Sequence, residues 1–297
     1  MTAMSALVGK ATAQVKRLMG GKDVVDVAGW AHRVEAKYPK TASFHFQHQT
    51  TKWDCVEALA TDLNCPENRC LTRALQHFYG RLTGRPNLVK LEYPDGLQLT
   101  DSDAVKFLVN LLGDLHQPLH VGFAEDFGGH NITLIYTDAQ REKKQTTMFN
   151  YWDSALVQKS IQERPAFWYG GWTHSHSLGD RLTALRREWD SHESATRHLL
   201  FAKWATESLH LVCNSVYKES RSGAIIPNGF EIGSTYEFEA LEVTKRQILT
   251  AGARIGFVLN TILSERDASK LRQGSGVEVP SELLNTKRFL IKMVLSS

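Results

Sequence analysis

The stretch TDSDAVKFLVNLLGDLH, residues 100–116, places the strongest constraint on how this chain can fold. Its apolar residues recur at three- and four-residue steps, which predicts a mostly buried helix. Thr100 or Asp101 is placed as the N-cap, with Asp103 in the first turn. Pro118 should end or kink this helix, because proline cannot continue the backbone hydrogen bonding. The helix is defined by its apolar set, Val105, Leu108, Val109, Leu111 and Leu112.

The same helical period covers most of the chain. It predicts helices over 4–19, 22–38, 67–82, 101–116, 192–218 and 234–264. ITLIYTD, the charged turn AQREKK and QTTMF predict one small β-hairpin. We therefore expect a single all-α domain, a multi-helix bundle with a small hairpin, over residues 1–268. LRQGSGVEVPS indicates a flexible linker, and residues 269–297 are expected to form this linker and a short C-terminal helix.

Composition excludes some classes of protein. The chain has 297 residues, 42% of them hydrophobic, and no apolar run long enough to span a bilayer. The net charge of +3 is compatible with an anionic substrate but is far weaker than a nucleic-acid-binding surface usually requires. The first residues, MTAMSALVGKATAQVKRLMGG, contain Lys10 and Lys16 and lack the apolar core of a signal peptide.

The cysteines leave two interpretations open. Cys65 and Cys70 flank PENR, a stretch short enough to close as a local disulfide, and Cys55 and Cys213 would then join distant parts of the chain. Reduced, buried cysteines are equally compatible with this count. Disulfides would indicate an oxidising compartment, as does the glycosylation sequon at Asn131.

The window VNLLGDLHQPLHVGFAEDFGGHNI concentrates metal-binding side chains. Asp114 ends the predicted helix and His120 follows Pro118, so a carboxylate and an imidazole meet where the chain turns back. Nitrogen and oxygen donors of this kind suit zinc, although the spacing matches no zinc template. Structural roles are the default for the other histidines, including His48. Further candidates are His32, His45, Asp153, His116 and Asp126, the last as a loop carboxylate.

Several segments together resemble one enzyme family. KFLVNLLGDLHQPLHVGFAEDFGGHNI is similar to the signature of the class I zinc-dependent single-strand nucleases and 3′-nucleotidases, which share an all-α fold with zinc phospholipase C. VVDVAGWAHRV, SFHFQ, NYWDSAL, WATESLHLVCNSVY and GARIGFVLNTIL resemble further blocks of that family, so the likeness covers most of the chain. The resemblance implies the disulfides Cys55–Cys213 and Cys65–Cys70.

The resemblance also implies a site and a reaction. Family members hold three zinc ions in a cleft, and a zinc-activated water attacks phosphorus in line. Asp114 matches the carboxylate that bridges two zinc ions and orients the water. His45 matches a ligand of the first zinc, and His120 and Asp153 match ligands of the second. Phe46 matches the aromatic wall on which a nucleobase stacks.

The chain departs from the family pattern at its metal ligands. His32 stands where the family has an aspartate, and it keeps a donor atom. Asn110 and Phe149 stand where histidine ligands are expected, and Glu35 replaces an arginine that faces phosphate, a role for which Arg33 or Lys37 could substitute. The N-terminal tryptophan and nearby histidine of the third zinc site have no counterpart, so we expect a truncated N-terminus and fewer than three ions.

These observations predict a zinc-dependent phosphodiesterase with a partly degraded metal site. Its substrates would be single-stranded DNA or RNA and 3′-nucleotides, and it would act in the secretory pathway or extracellular space. The sequence does not give the oligomeric state, and a monomer is the default. One alternative is a catalytically inactive relative that binds nucleotides or a protein partner. A weaker alternative is a lipid phosphodiesterase, which Phe46 disfavours because an aromatic wall suits bases better than headgroups.

Overall fold

The computed structural model describes residues 9–22, 24, 26, 27, 29–49, 63–168, 176–219, 222–266, 270, 271, 273, 276 and 277. Helices account for most of them and a small sheet for a few, which confirms the predicted all-α class with a hairpin. The helices are α1 (Gly9–Leu18), α2 (Trp30–Lys37), α3 (Leu71–Leu82), α4 (Asp101–Leu115), α5 (Leu156–Glu163), α6 (Pro165–Trp168), α7 (His176–Asp190), α8 (Leu200–Leu211) and α9 (Ser234–Glu265).

Helix α4 is the central helix, as its apolar run predicts. A capping box begins it: the Thr100 hydroxyl accepts a hydrogen bond from the Asp103 N–H, and the Asp103 carboxylate accepts one from the Thr100 N–H. Thirteen of its fifteen residues are buried, and the exceptions, Gly113 and Asp114, lie in its last turn. Helices α2, α3, α8 and α9 pack around it. This packing fixes the position of the helix end that carries Asp114.

The sheet lies to one side of the helices. Strand β1 (Thr133–Thr137) pairs antiparallel with β2 (Lys143–Thr147), which confirms the predicted hairpin. A third strand that the sequence did not predict, β3 (Phe230–Glu231), pairs parallel with β1. Directly after β2 come a helical turn (Met148–Asn150) and a π-helical turn (Tyr151–Ala155) that lead into α5.

Three helices predicted from periodicity are shorter in the structure, and the one predicted over 67–82 begins at Leu71. In the segment predicted as a helix over 22–38, the helix begins only at Trp30, because Gly29 adopts a left-handed conformation with φ of 75°. Val24 and Val27 are buried, so their apolar spacing marks a packed turn rather than a helix. The helix predicted over 192–218 is likewise confined to Leu200–Leu211, followed by a π-helical turn, Val212–Val216.

The predicted local disulfide is present. Cys65 and Cys70 are bonded with a Cα–Cα distance of 5.4 Å, just before α3. Cys213 is also disulfide-bonded, and its expected partner, Cys55, lies outside the described residues. Free cysteines are absent from the described part of the chain.

Part of the segment predicted as a linker lies against the helices. Leu271 and Val277 are buried, and the Gly276 N–H donates to the Asp103 carboxylate at 2.7 Å. The helix predicted at the C-terminus lies outside the described residues. None of the described helices combines the length and apolar character needed to cross a bilayer.

Candidate metal centre

The site forms where α4 ends. Asp114 lies in the last turn of the helix, and the N–H of His116, the C-cap residue, bonds back to the carbonyls of Gly113 and Asp114. The chain then turns through a 3₁₀ helix, Pro118–Val121, which buries His120. Asp114 and His120 are thus brought to one end of the central helix, as their spacing predicted.

His45 reaches the same place from a different segment. It caps the 3₁₀ helix Pro39–Phe44, and the residues after it run beside the turn that carries His120. The Gln47 N–H donates to the His120 carbonyl at 2.7 Å, and the His120 Nδ1–H donates to the His45 carbonyl at 2.6 Å. His45 Nδ1 lies 2.7 Å from Asp114 Oδ2. Backbone bonds therefore fix both imidazoles beside the carboxylate.

His32 comes from the first turn of α2. Its ring stacks on the ring of His45, with centroids 5.0 Å apart and planes at 26°. Just before α2, the Gly29 N–H donates to Asn110 Oδ1 at 3.3 Å, which ties the start of the helix to α4. Glu35, one turn further along α2, has its carboxylate 3.6 Å from His32 Nδ1.

The three side chains form a compact donor group. One ligand atom each from His32, His45 and Asp114 lies within 4.8 Å of the others. His45 Nε2 is buried and has no hydrogen-bond partner in the described part of the chain, which is unusual for a buried polar atom. Two imidazoles and a carboxylate are donors that zinc and similar divalent cations prefer. The residues present therefore fit a metal ion.

Asp153 lies further along the same cleft. It is carried by the π-helical turn Tyr151–Ala155, a rare geometry that often occurs at functional sites. Asp153 Oδ1 is 3.8 Å from His120 Nε2, and both residues line a cleft of about 140 Å³ with His32 and Asp114. Apolar side chains also line the cleft: Val109, Trp152, Val157, Ile248, Ala251 and Ile255.

The charges of these groups are mutually dependent. Burial alone would raise the pKa of Asp114, but the charge on protonated His120 and the hydrogen bond with His45 outweigh it and lower the pKa to about 2. Burial would lower the pKa of His120, but the carboxylates of Asp114 and Asp153 raise it above the ordinary value. Asp114 is therefore a carboxylate at neutral pH, as a metal ligand must be.

Comparison with known proteins identifies the family. The family model described as S1/P1 Nuclease matches residues 2–264. The chain belongs to the S1/P1 nuclease family. It is 24% identical to Endonuclease 3 of Arabidopsis thaliana over 85% of this chain and 82% of that protein. It is 24% identical to Nuclease S1 of Aspergillus oryzae over 69% and 66%, and 22% identical to Nuclease P1 of Penicillium citrinum over 80% and 84%.

Within this S1/P1 family member, the predicted ligand residues do converge. His32, His45 and Asp114 are grouped, and His120 and Asp153 line the same cleft. Arg33, the predicted phosphate-binding residue, is half-buried on α2 next to His32. Its contact with substrate remains a prediction, as does each ligand assignment.

The two substituted ligand positions have structural partners instead. Asn110 Oδ1 accepts from the Gly29 N–H, and its Nδ2 donates to the Lys106 carbonyl at 2.8 Å. The ring of Phe149 stacks on His130 with centroids 4.0 Å apart, and its centroid is 5.4 Å from that of His120. Both residues are therefore held in place by neighbours other than an ion.

Two exposed aromatic side chains lie beside the ligand segment. Phe46 is 38% exposed and stacks on His48 at 4.6 Å. His48 in turn approaches Gly128, whose neighbour Phe127 is 63% exposed with φ of 52°. The sequence pointed to Phe46 but missed Phe127, which reads as an ordinary loop residue. An exposed phenylalanine immediately before Gly-Gly was the available signal.

One imidazole and one carboxylate of the window 109–132, those of His116 and Asp126, lie outside the donor group. His116 is buried, and its ring hydrogen-bonds to the Leu112 carbonyl and to the Arg254 guanidinium. Asp126 is buried rather than a simple loop carboxylate. It accepts from the Tyr217 hydroxyl at 2.7 Å and from the Gly129 N–H at 2.9 Å, so it holds the Gly-Gly turn in place.

Proposed function

We propose that this protein is a zinc-dependent phosphodiesterase that cleaves single-stranded DNA or RNA internally and also hydrolyses 3′-nucleotides. The observation that carries the proposal is the compact donor group of His32, His45 and Asp114 at the end of the central helix. Membership of the S1/P1 nuclease family supports the reaction class, and the relatives named endonucleases support internal cleavage.

The donor group would hold the ion, with His120 and Asp153 at the next position along the cleft. Zinc bound there supplies Lewis-acid stabilisation of the phosphate oxygens and lowers the pKa of water. The Asp114 carboxylate, which stays ionised, accepts a hydrogen bond from the attacking water and aligns it with phosphorus.

The remaining polar side chains orient the phosphate. The bond from His120 Nδ1–H to the His45 carbonyl fixes the His120 ring, so that its Nε2 faces the cleft near Asp153. Arg33 lies on α2 beside the donor group and is the cation we assign to the phosphate, since Glu35 occupies the position where the family has arginine.

The substrate preference follows from the exposed aromatics. Phe46 and Phe127 offer faces on which unpaired bases can stack, a contact that tolerates any base sequence. Bases in a duplex are already stacked and paired, so they cannot use these faces without being pulled out. This arrangement supports single strands over duplexes.

Hydrolysis assays on the purified full chain test the proposal. With zinc present, we expect cleavage of single-stranded DNA and release of phosphate from a 3′-nucleotide, with much slower cleavage of a duplex. Asp114→Asn should abolish both activities, whereas Asp95→Asn, an exposed carboxylate in a turn, should not change them. Substrate binding without hydrolysis in zinc-loaded protein would contradict the proposal and favour the inactive relative that Asn110 and Phe149 suggest.

We further propose that the chain matures in the secretory pathway. The bonds at Cys65, Cys70 and Cys213 and the exposed sequon residue Asn131 support an oxidising, glycosylating compartment. Expression in a eukaryotic secretory host, followed by glycosidase treatment and thiol counting, tests this. A protein with four free thiols and no glycan would contradict it.

A further inference from the structure

We propose that this chain binds a single metal ion, on His32, His45 and Asp114, instead of the cluster of three that the family resemblance implies. The first metal position is the donor group of His32, His45 and Asp114, and the second is the one next to His120 and Asp153. Phe149 offers no donor atom to the second position, and Asn110 supports the first through a hydrogen bond. The inference rests on the proposed function only in placing a metal at this site, and it concerns how many ions the side chains can hold.

The first position has three protein donors. His32, His45 and Asp114 supply two nitrogens and one oxygen within 4.8 Å, the count of protein ligands typical of catalytic zinc sites. His45 Nε2 is buried and has no hydrogen-bond partner among the described residues. The two imidazole rings are stacked, so both are already oriented before an ion arrives.

Two substitutions on α2 change the charge of the first position in opposite directions. Replacing the family aspartate by His32 removes one negative charge. Replacing the family arginine by Glu35 removes a positive charge and places a carboxylate 3.6 Å from His32 Nδ1. That distance is longer than a hydrogen bond, so the Glu35 carboxylate acts on a cation bound at His32 through its charge. With the His32 ring neutral, as in a metal ligand, the pair His32 and Glu35 carries a net charge of −1, where aspartate and arginine would sum to zero, so the two changes together favour a cation.

Asn110 contributes to the first position through the backbone. Its Oδ1 accepts from the Gly29 N–H and its Nδ2 donates to the Lys106 carbonyl, so both ends of the amide are used. An ion on Asn110 would have to displace the bond to Gly29, which leads directly into the helix turn carrying His32. Asn110 therefore fixes the orientation of a ligand in place of being one.

The second position is incomplete. His120 Nε2 and Asp153 Oδ1 are 3.8 Å apart, but among the described residues they do not join Asp114 in a second compact donor group. The ring at the missing ligand position, Phe149, offers no lone pair. It stacks on the ring of His130 with centroids 4.0 Å apart, and the Phe149 backbone N–H donates to the Gly129 carbonyl at 3.1 Å.

Counting bound zinc tests this inference. The full chain is loaded with excess zinc, desalted, and assayed for zinc per chain by mass spectrometry, with circular dichroism to confirm that each variant is folded. We expect one ion in the wild type and none in His32→Ala, whereas Asp153→Asn, which removes only a second-position donor, should keep one. Two or more ions in the wild type, or loss of the ion from Asp153→Asn, would overturn the inference.

A gain of metal gives an independent test. Phe149→His restores a donor beside His120 and Asp153 and should raise the count from one to two, while the matched variant Phe149→Tyr should stay at one. A count of one in Phe149→His would show that Phe149 does not close the second position. Hydrolysis of single-stranded DNA is measured on the same samples: one bound ion without hydrolysis contradicts the proposed function alone, and hydrolysis with three bound ions contradicts this inference alone.

Discussion

Arg254, near the middle of α9, donates from Nη1 to Nε2 of His116 at 3.0 Å, across 138 residues of sequence. Because a guanidinium can only donate, His116 Nε2 must accept, and the ring proton lies on Nδ1, which bonds to the Leu112 carbonyl at 2.7 Å. Burial and the neighbouring guanidinium lower the pKa of His116 to about 3, in agreement with a neutral ring. Through these bonds, α9 fixes the position of the last turn of α4, which carries Asp114.

Removing the Arg254 side chain should destabilise the fold. Its guanidinium also bonds to the carboxylates of Glu188 and Glu207 and lies over the ring of Trp204. Arg254→Met leaves the half-buried Glu188 carboxylate without this cation, and we expect a loss of about 2–3 kcal/mol of unfolding free energy. Urea unfolding measures it. Arg187→Met, an exposed arginine on the same helix as Glu188, should change stability by less than about 0.5 kcal/mol. Equal stability of the two variants would contradict this account.

The hydrogen bond between Asn110 and Gly29 should increase the affinity of the site for metal. Asn110→Ala removes the acceptor of the Gly29 N–H, so α2 and His32 lose a fixed position relative to α4. Supporting hydrogen bonds of this kind are worth about 10–100-fold in metal affinity. Competition with a zinc chelator should show a weakening in that range, whereas Asn87→Ala, at an exposed position, should show none. An unchanged affinity in Asn110→Ala would mean that the bond to Gly29 does not position His32.

Much of the structure around α4 could be predicted from local sequence, and some of it could not. The buried α4 with its Thr100–Asp103 cap was predictable because both signals lie within one segment. The link from Arg254 to His116 was not, since the apolar run around Arg254 indicates a buried arginine but does not identify its partner. Gly29 shows the same limit at short range: its left-handed conformation, after which α2 begins, could not be read from the apolar spacing of Val24 and Val27.

At the site, the residue types were predictable but their alternative partners were not. Asn110 and Phe149 stood out as departures from the ligand pattern. Only the structure shows that Asn110 serves Gly29 and that Phe149 stacks on His130. The proximity of Glu35 to His32 also depends on a distance that the sequence does not contain.

Protonation of His48 should limit stability in mild acid. Burial, with lesser contributions from the charges of His120 and His130, lowers the pKa of His48 from 6.5 to about 4. Between these values the unfolded chain binds a proton that the folded chain does not, so this residue's effect is absent above about pH 6.5 and destabilises progressively as pH falls toward 4. Unfolding of chelator-treated protein from pH 4 to 7.5 tests this. Wild type should lose more stability than His48→Gln over that window, and parallel curves would contradict the assignment.

The aromatic faces should affect substrate affinity more than chemistry. Stacking of a base on an aromatic side chain contributes about 1–3 kcal/mol, so Phe46→Ala and Phe127→Ala should each raise KM for single-stranded DNA by about 5–150-fold with little change in kcat. Phe238→Ala, which removes an exposed phenylalanine on α9, should leave KM unchanged. An abasic oligonucleotide distinguishes stacking from misfolding, because the Phe46 and Phe127 variants should cleave it as the wild type does. Equal losses on both substrates would contradict a stacking role.

One ion on His32, His45 and Asp114 should be sufficient for phosphodiester hydrolysis. The most direct measurement is a titration of zinc into metal-free full chain while cleavage of single-stranded DNA is followed. We expect activity to rise with the first equivalent of zinc and to be saturated at one ion per chain. Activity that appears only as second and third equivalents bind, or no activity with zinc bound, would contradict it.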